Sequence, residues 1–148
     1  RISSIFADFL LVLMSTVTIQ LGQCGNQVGG ELFSCMAKER PREFFREGDG
    51  KKARYTARAV LIDMEPKAIL STLTTSKRNL QDWEYERDAS FWQHTGSANN
   101  WSHGYAVHGP RTRDKILETT RKQVERCESF SGFLMLSSLA GGTGSGLG

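Results

Sequence analysis

Residues 140–146, Ala-Gly-Gly-Thr-Gly-Ser-Gly, decide the fold of this chain, and an apolar segment over residues 132–139 leads into them. The apolar segment predicts a buried strand. A strand that opens into glycines and small hydroxyls is typical of a phosphate site, because glycines let backbone N–H groups face an anion at close range. A helix would normally follow, with its N-terminus toward the same anion. The alternative interpretation is a flexible Gly/Ser linker, although linkers seldom follow an apolar strand directly.

The amino-acid composition limits the classes of protein to which this chain can belong. The chain has 148 residues, of which 39% are hydrophobic and 24% charged, so we expect one globular domain or part of one, with a sizeable core. The net charge of +3 is spread along the chain, which does not favour a nucleic-acid partner. No apolar run approaches the roughly 20 residues of a membrane span, so no membrane association is expected.

Cysteines and histidines give no sign of a metal centre. The three cysteines lack a C-x-x-C pair and the three histidines lack ligand spacing, so reduced thiols are the simplest interpretation. These residues are Cys24, Cys35, Cys127, His94, His103 and His108.

The first residues differ in character from the rest of the chain. Residues 1–13 carry an apolar patch with no small-residue cleavage site after it, which does not favour a signal peptide. Met14 stands immediately before the first convincing strand. We expect residues 1–13 to be a non-native or mis-translated extension and residues 14–148 to form the domain.

A second strand-then-glycine turn lies near the start. Residues 17–21 predict a strand, and Gly-Gln-Cys-Gly-Asn-Gln (residues 22–27) opens a helical pattern. Its backbone N–H groups and Gln23 are candidates for phosphate binding, and a plain strand-to-helix turn is the alternative. The predicted buried face of the helix consists of Val28, Leu32, Cys35 and Met36.

Residues 59–62 form a short apolar run that suits a central parallel strand, and Asp-Met-Glu-Pro (residues 63–66) follows. Carboxylates at the carboxyl end of such a strand lie where ligands bind. Because Asp63 and Glu65 would repel an anion, they more plausibly act on it through a metal ion or its waters. The alternative is an acidic cap of a helix over residues 67–73, with Pro66 near its first position. The basic segment before the run, residues 39–58, reads mainly as a solvated loop.

Two further features complete the pattern. Residues 96–101 form a small-residue loop whose adjacent amides suit phosphate oxygens, and a turn anchored by a buried Trp101 is the alternative. A helix is predicted over residues 112–127, with its buried stripe widened by Leu117. The alternation of strands, glycine turns and helices predicts an α/β fold, doubly wound around a mainly parallel sheet, with several strand ends meeting at one site.

These motifs together resemble the tubulin superfamily, over residues 15–148. Residues 20–27, 63–66, 99–101 and 140–146 match its nucleotide loops in family order. The fold implied is the Rossmann-like tubulin nucleotide-binding domain, incomplete at its C-terminus. Residues 104–111 and the run from Glu125 resemble the delta type, whereas Ala140 in the glycine loop is also found in the gamma type, which is the alternative.

The resemblance implies a GTP-binding subunit of the microtubule cytoskeleton that acts with Mg²⁺. The delta type implies partnership with other tubulin subunits and centriolar proteins, in the cytoplasm at centrioles, basal bodies and cilia. Glu65 is expected near the magnesium, with Asp63 supporting it, and no catalytic residue is expected in this chain. The nucleotide-binding residues implied are Gly22, Gln23, Cys24, Gln27, Asp63, Glu65, Ala98, Asn99, Asn100, Ser138, Ala140, Gly141, Gly142, Thr143, Gly144, Ser145 and Gly146.

Other functions have weaker support. In the family, the residues that read guanine and the acidic loop that a neighbouring subunit supplies for hydrolysis come after the position of Gly148. A dinucleotide-dependent oxidoreductase would need G-x-G-x-x-G after the first strand, and residues 22–25 lack that spacing. A nucleic-acid or scaffold module would have to use the basic residues between Arg40 and Arg54.

Overall fold

The computed structural model describes residues 14–39, 41–48, 55–78 and 82–148. The strands are β1 (Met14–Leu21), β2 (Phe45–Glu47), β3 (Tyr55–Ala57), β4 (Ala59–Asp63), β5 (Trp83–Glu84), β6 (Ser90–Trp92) and β7 (Ser129–Leu136). The helices are α1 (Gly22–Met36), α2 (Pro66–Arg78), α3 (Trp101–His103), α4 (Gly109–Glu125) and α5 (Thr143–Leu147). A 3₁₀ turn covers Arg87–Ala89, and a π-helix over Gly104–His108 joins α3 to α4.

The main sheet is parallel throughout and has the strand order β6-β4-β1-β7. On β1, Gln20 is in register with Leu61 on one side and Leu136 on the other. Since the strands run in one direction, their carboxyl ends lie at the same edge, where ligands bind in this class of fold. The predicted doubly wound α/β architecture is therefore confirmed.

The strand β4 has helices against both of its faces, and all five of its residues are buried. Leu61 faces a core that includes Phe33 of α1 and Ile69 of α2, whereas Val60 and Ile62 face a second core. Ile116 and Val124 of α4 pack on that second core. An uninterrupted apolar run is what such a two-sided position requires.

A smaller sheet lies beside the first core and has the order β2-β3-β5. It takes in part of the basic segment that the sequence presented as a solvated loop; residues 40 and 49–54 of that segment lie outside the described residues. Four aromatic rings, Phe33, Phe45, Trp83 and Tyr85, join this sheet to α1, with ring centroids 5.1–5.9 Å apart. The prediction of a solvated loop was therefore wrong for residues 45–47 and 55–57, which are strands.

The buried face of α1 is only partly the predicted one, since Met36 packs against the first core as expected. Val28 is 50% exposed and Cys35 is exposed, whereas Gly25, Asn26, Gly29 and Phe33 are buried. A Cβ on Gly29 would overlap the Gln20 amide, so the helix approaches β1 along its glycines. Apolar periodicity counts side chains, and a face made of glycines escapes it.

The last strand also departs from the expectation. It covers Ser129–Leu136 instead of residues 132–139, and Phe133 and Met135 are each about half exposed. Within the described residues β7 pairs on one side only, with β1. The predicted helix over 112–127 is α4, two to three residues earlier, and Leu117 is 53% exposed instead of widening its buried stripe.

No helix among the described ranges is both long and apolar enough to cross a membrane. The expectation for residues 1–13 falls outside the described residues.

The aromatic cluster generates a stability prediction. Phe33→Ala removes a fully buried ring that contacts three others, so it should lower the free energy of unfolding by about 3–5 kcal/mol. Leu117→Ala, at a half-exposed position of α4, is the control and should cost no more than about 0.5 kcal/mol. Chemical denaturation of the full-length protein measures both. Equal losses for the two variants would contradict the assigned core.

Candidate functional site

A polar pocket of about 640 Å³ lies at the carboxyl edge of the main sheet, where the turns after β1, β4 and β7 meet. Its volume is in the usual range for sites that hold a small molecule. Backbone, hydroxyls, amides and carboxylates dominate the lining, which suits a charged ligand. The lining residues are Gly22, Gln23, Cys24, Gln27, Asp63, Glu65, Lys67, Ala68, Ser71, Ser97, Asn99, Ser138, Ala140, Gly141, Gly142, Thr143 and Gly144.

The turn after β1 depends on a glycine. Gly22 has a φ of +70°, and a Cβ there would lie 2.8 Å from the backbone nitrogen of Gly144. Any side chain would be strained and would force the two turns apart. The missing Cβ therefore places the start of α1 directly against the glycine loop.

The glycine loop itself is folded tightly around the pocket. Gly141 has a φ of +103°, and a Cβ on Gly142 would lie 2.5 Å from the Cβ of Ser97. The short helix α5 begins at Thr143, and the first backbone bond across it runs from the N–H of Gly146 to the carbonyl of Gly142. The N–H groups in the first turn of a helix have no intrahelical acceptor, so they are available to an anion.

The loop before α3 is strained and is tied to the glycine loop. Ala98 and Asn99 have φ values of 49° and 54°, in the left-handed region that non-glycine residues seldom adopt. The Ser97 and Thr143 hydroxyls lie 3.1 Å apart in a hydrogen bond, and the N–H of Asn100 donates to the carbonyl of Ser97 at 2.9 Å. These bonds hold Asn99 at the pocket while the backbone is strained.

The turn after β4, residues 63–66, supplies two carboxylates that differ in burial, and we call it the acidic turn. Asp63 is buried, and its Oδ1 accepts a 2.7 Å hydrogen bond from the N–H of Met64. Burial raises the pKa of Asp63, and the hydrogen bonds from the Met64 and Glu65 backbone and the Thr143 hydroxyl oppose part of that rise. Glu65 is exposed, and its carboxylate lies against Gly96, where a Cβ would overlap it.

Asn26 links two of the strand ends although it does not line the pocket. It is fully buried, and its Nδ2 donates to the carbonyl of Gly22 at 2.8 Å and to that of Ile62 at 3.2 Å. The first glycine turn is thereby fastened to the residue before Asp63. Sequence reasoning quoted Asn26 in the motif but assigned it no role.

Thirteen of the seventeen sequence-predicted residues line the pocket, and four do not. Asn100 caps α3, where its Oδ1 accepts from the N–H and hydroxyl of Ser102. The Ser145 hydroxyl donates to the carbonyl of Gly141, and Gly146 packs against Gly104. Ala98 is one of the two residues with a positive φ in the loop before α3. Trp101 is 53% exposed, so the alternative of a turn anchored by its burial was wrong.

Four lining residues were missed. They are Lys67, Ala68, Ser71 and Ser97. Three of them lie on one face of α2, at positions i, i+1 and i+4, and the helix predicted after the acidic turn would have placed them there. Ser97 lies inside the predicted small-residue loop over residues 96–101 but was not assigned to the site, and its bond to Thr143 identifies it.

The sequence of this chain matches a known protein family. Residues 15–148 match the Tubulin/FtsZ family, GTPase domain. This chain belongs to that family. It is 46% identical to the tubulin delta chains of Macaca fascicularis and Homo sapiens, over 91% of this chain and 33% of each relative. A tubulin beta chain of Porphyra purpurea is 34% identical, over 89% of this chain and 32% of the relative.

The resemblance to the tubulin superfamily, with the delta type as a near relative, is therefore confirmed. Neither the gamma type nor a dinucleotide-dependent oxidoreductase is favoured by these matches. The chain spans about a third of the length of the curated tubulin relatives it matches.

The buried Asp63 generates a prediction about pH. Because its pKa is raised, the folded protein binds this proton more tightly than the unfolded chain does, and the free energy of unfolding should fall as the pH rises from about 3.8 through the raised pKa. Asp63→Asn removes the titration and keeps an oxygen for the Met64 N–H. The variant should gain stability relative to the wild type as the pH rises above about 4. Nucleotide-free denaturation curves measure this, and a relative loss with rising pH would contradict it.

Proposed function

We propose that this chain is the phosphate-binding part of the GTPase domain of a delta-type tubulin. In this proposal the whole protein binds GTP with Mg²⁺ and associates with other tubulin subunits and with centriolar proteins. It acts in the cytoplasm, in the assembly of centrioles, basal bodies and cilia. The support for the delta type is the higher identity to delta chains, 46%, than to a beta chain, 34%.

One observation carries the nucleotide assignment. Four segments that are far apart in the chain, residues 22–27, 63–65, 97–99 and 138–144, line a single pocket of about 640 Å³. Gly22, Gly142 and Gly144 pack so closely on neighbouring segments that a Cβ on any of them would lie within 2.8 Å of protein atoms. The lining at these points is therefore backbone, as a cradle for phosphate requires. The family match supplies the identity of the nucleotide.

We assign a role in nucleotide binding to each part of the pocket. The N–H groups around Thr143 and Gly144, together with Gln23 and Cys24, hold the phosphates. Asn99, held at the pocket by the bonds of its neighbours, offers an amide to the phosphate oxygens. The Thr143 hydroxyl hydrogen-bonds the Asp63 carboxylate and so connects the glycine loop to the acidic turn.

The residues also fit a magnesium ion. Among the described residues no group of three or more His, Cys, Asp or Glu side chains forms a metal cage. Mg²⁺ in nucleotide sites does not need one, since one or two carboxylates, water and phosphate oxygens complete its coordination. Glu65 would hold the ion, with Asp63 supporting it, and the ion would neutralise phosphate charge. Hydrolysis in the family needs an acidic loop from a neighbouring subunit, so binding is the activity proposed for this chain.

Thr143→Val tests the site while conserving volume. Loss of the hydroxyl removes a bond beside a charged ligand, worth about 1.5–3 kcal/mol, so the dissociation constant for GTP should rise at least about tenfold. Thr119→Val is the matched control, because Thr119 lies on α4 outside the pocket and bonds only its own helix, and it should not change GTP affinity. Calorimetric titration of the full-length protein, with Mg²⁺ and with a chelator, measures both.

Two outcomes would count against the proposal. Equal GTP affinity for Thr143→Val and the wild type would remove the pocket as the nucleotide site. Tight binding of NAD with no binding of GTP would restore the oxidoreductase alternative.

A further inference from the structure

We propose that Lys67 is a nucleotide-binding residue of this pocket, where its ammonium group contacts the phosphate chain. The inference rests on the proposed function and adds to it a residue that neither the loop motifs nor the family match assigns. Among the seventeen described residues that line the pocket, Lys67 is the one cationic side chain.

The position of Lys67 on α2 is unfavourable unless an anion is present. Pro66 begins the helix, so Lys67 stands in the first turn, where the partial positive charge of the helix N-terminus repels a cation. The first turn itself contains no acidic residue, although Glu65 immediately precedes the helix and offsets part of the repulsion. A bound phosphate would be attracted by the lysine and by the helix end together.

The described residues give Lys67 no other ionic partner. None of the salt bridges between them includes it, although Glu65, two residues earlier, lines the same pocket. Lys67 is exposed, so its ammonium is free to move toward a ligand. The other α2 residues in the lining, Ala68 and Ser71, are small and leave that path open.

The charge balance of the pocket calls for such a cation. Asp63 and Glu65 place carboxylates beside the phosphate site, and a triphosphate adds several negative charges. One divalent ion offsets only part of that sum. Lys67, which follows Glu65 by two residues, supplies a further positive charge on the side of the pocket that holds the carboxylates, whereas the glycine loop supplies backbone N–H groups and hydroxyls but no charge.

The test compares Lys67→Gln, which removes the charge at similar length, with Lys67→Arg, which keeps it. Titration of the full-length protein with GTP and Mg²⁺ at low salt should show a dissociation constant about tenfold higher for Lys67→Gln and within about threefold of the wild type for Lys67→Arg. The loss should shrink as salt is added, since the contact is partly exposed. Lys115→Gln, at an exposed position of α4 outside the pocket, is the matched control and should bind like the wild type.

The outcomes separate this inference from the function on which it rests. If Lys67→Gln binds GTP as tightly as the wild type while Thr143→Val is weakened, Lys67 is a solvated surface lysine and the inference is overturned. If Lys67→Gln and Lys115→Gln lose affinity equally, the effect is one of net charge and the contact is also overturned. If the wild type binds no GTP, the proposed function itself fails.

Discussion

The backbone contact between Gly22 and Gly144 is the constraint on which the site depends. It brings the turn after β1 against the loop after β7, and a Cβ on Gly22 would lie 2.8 Å from the Gly144 nitrogen. Asn26 extends the same junction to β4, because its amide donates to the carbonyls of Gly22 and Ile62. The ends of β1, β4 and β7 are thereby fixed relative to one another. The shape of the pocket is therefore set by backbone contacts and not by long side chains.

The fourth turn is held by different means. The loop before α3 has two successive residues with positive φ, and such strain persists only where the surroundings impose it. The surroundings here are the Ser97–Thr143 hydroxyl bond, the close packing of Gly142 on Ser97, and the ring of His108, whose Nε2 donates to the carbonyl of Gly96 at 3.3 Å. A displacement of the glycine loop would therefore also displace Asn99, so the glycine loop and the loop before α3 form one structural unit.

The sequence predicted the fold and most of the pocket because the relevant signals are local. Apolar runs that end in glycines or carboxylates identify strand ends, and parallel pairing brings those ends together. The sequence predicted the packing of α1 poorly, since Gly25 and Gly29 make the close approach to β7 and β1 and leave no apolar signal. Ser97 and Lys67 were missed for a related reason: one is identified by a bond across the fold, and the other by the face that α2 turns to the pocket.

The central claim is that these four turns enclose a triphosphate and its magnesium ion. It is tested most directly by a structure of the full-length protein with a slowly hydrolysed GTP analogue and Mg²⁺. The account predicts phosphate oxygens within about 3 Å of the backbone nitrogens of Thr143 and Gly144, with Glu65 on the side of the magnesium ion. A nucleotide bound elsewhere, with these nitrogens facing only solvent, would contradict it.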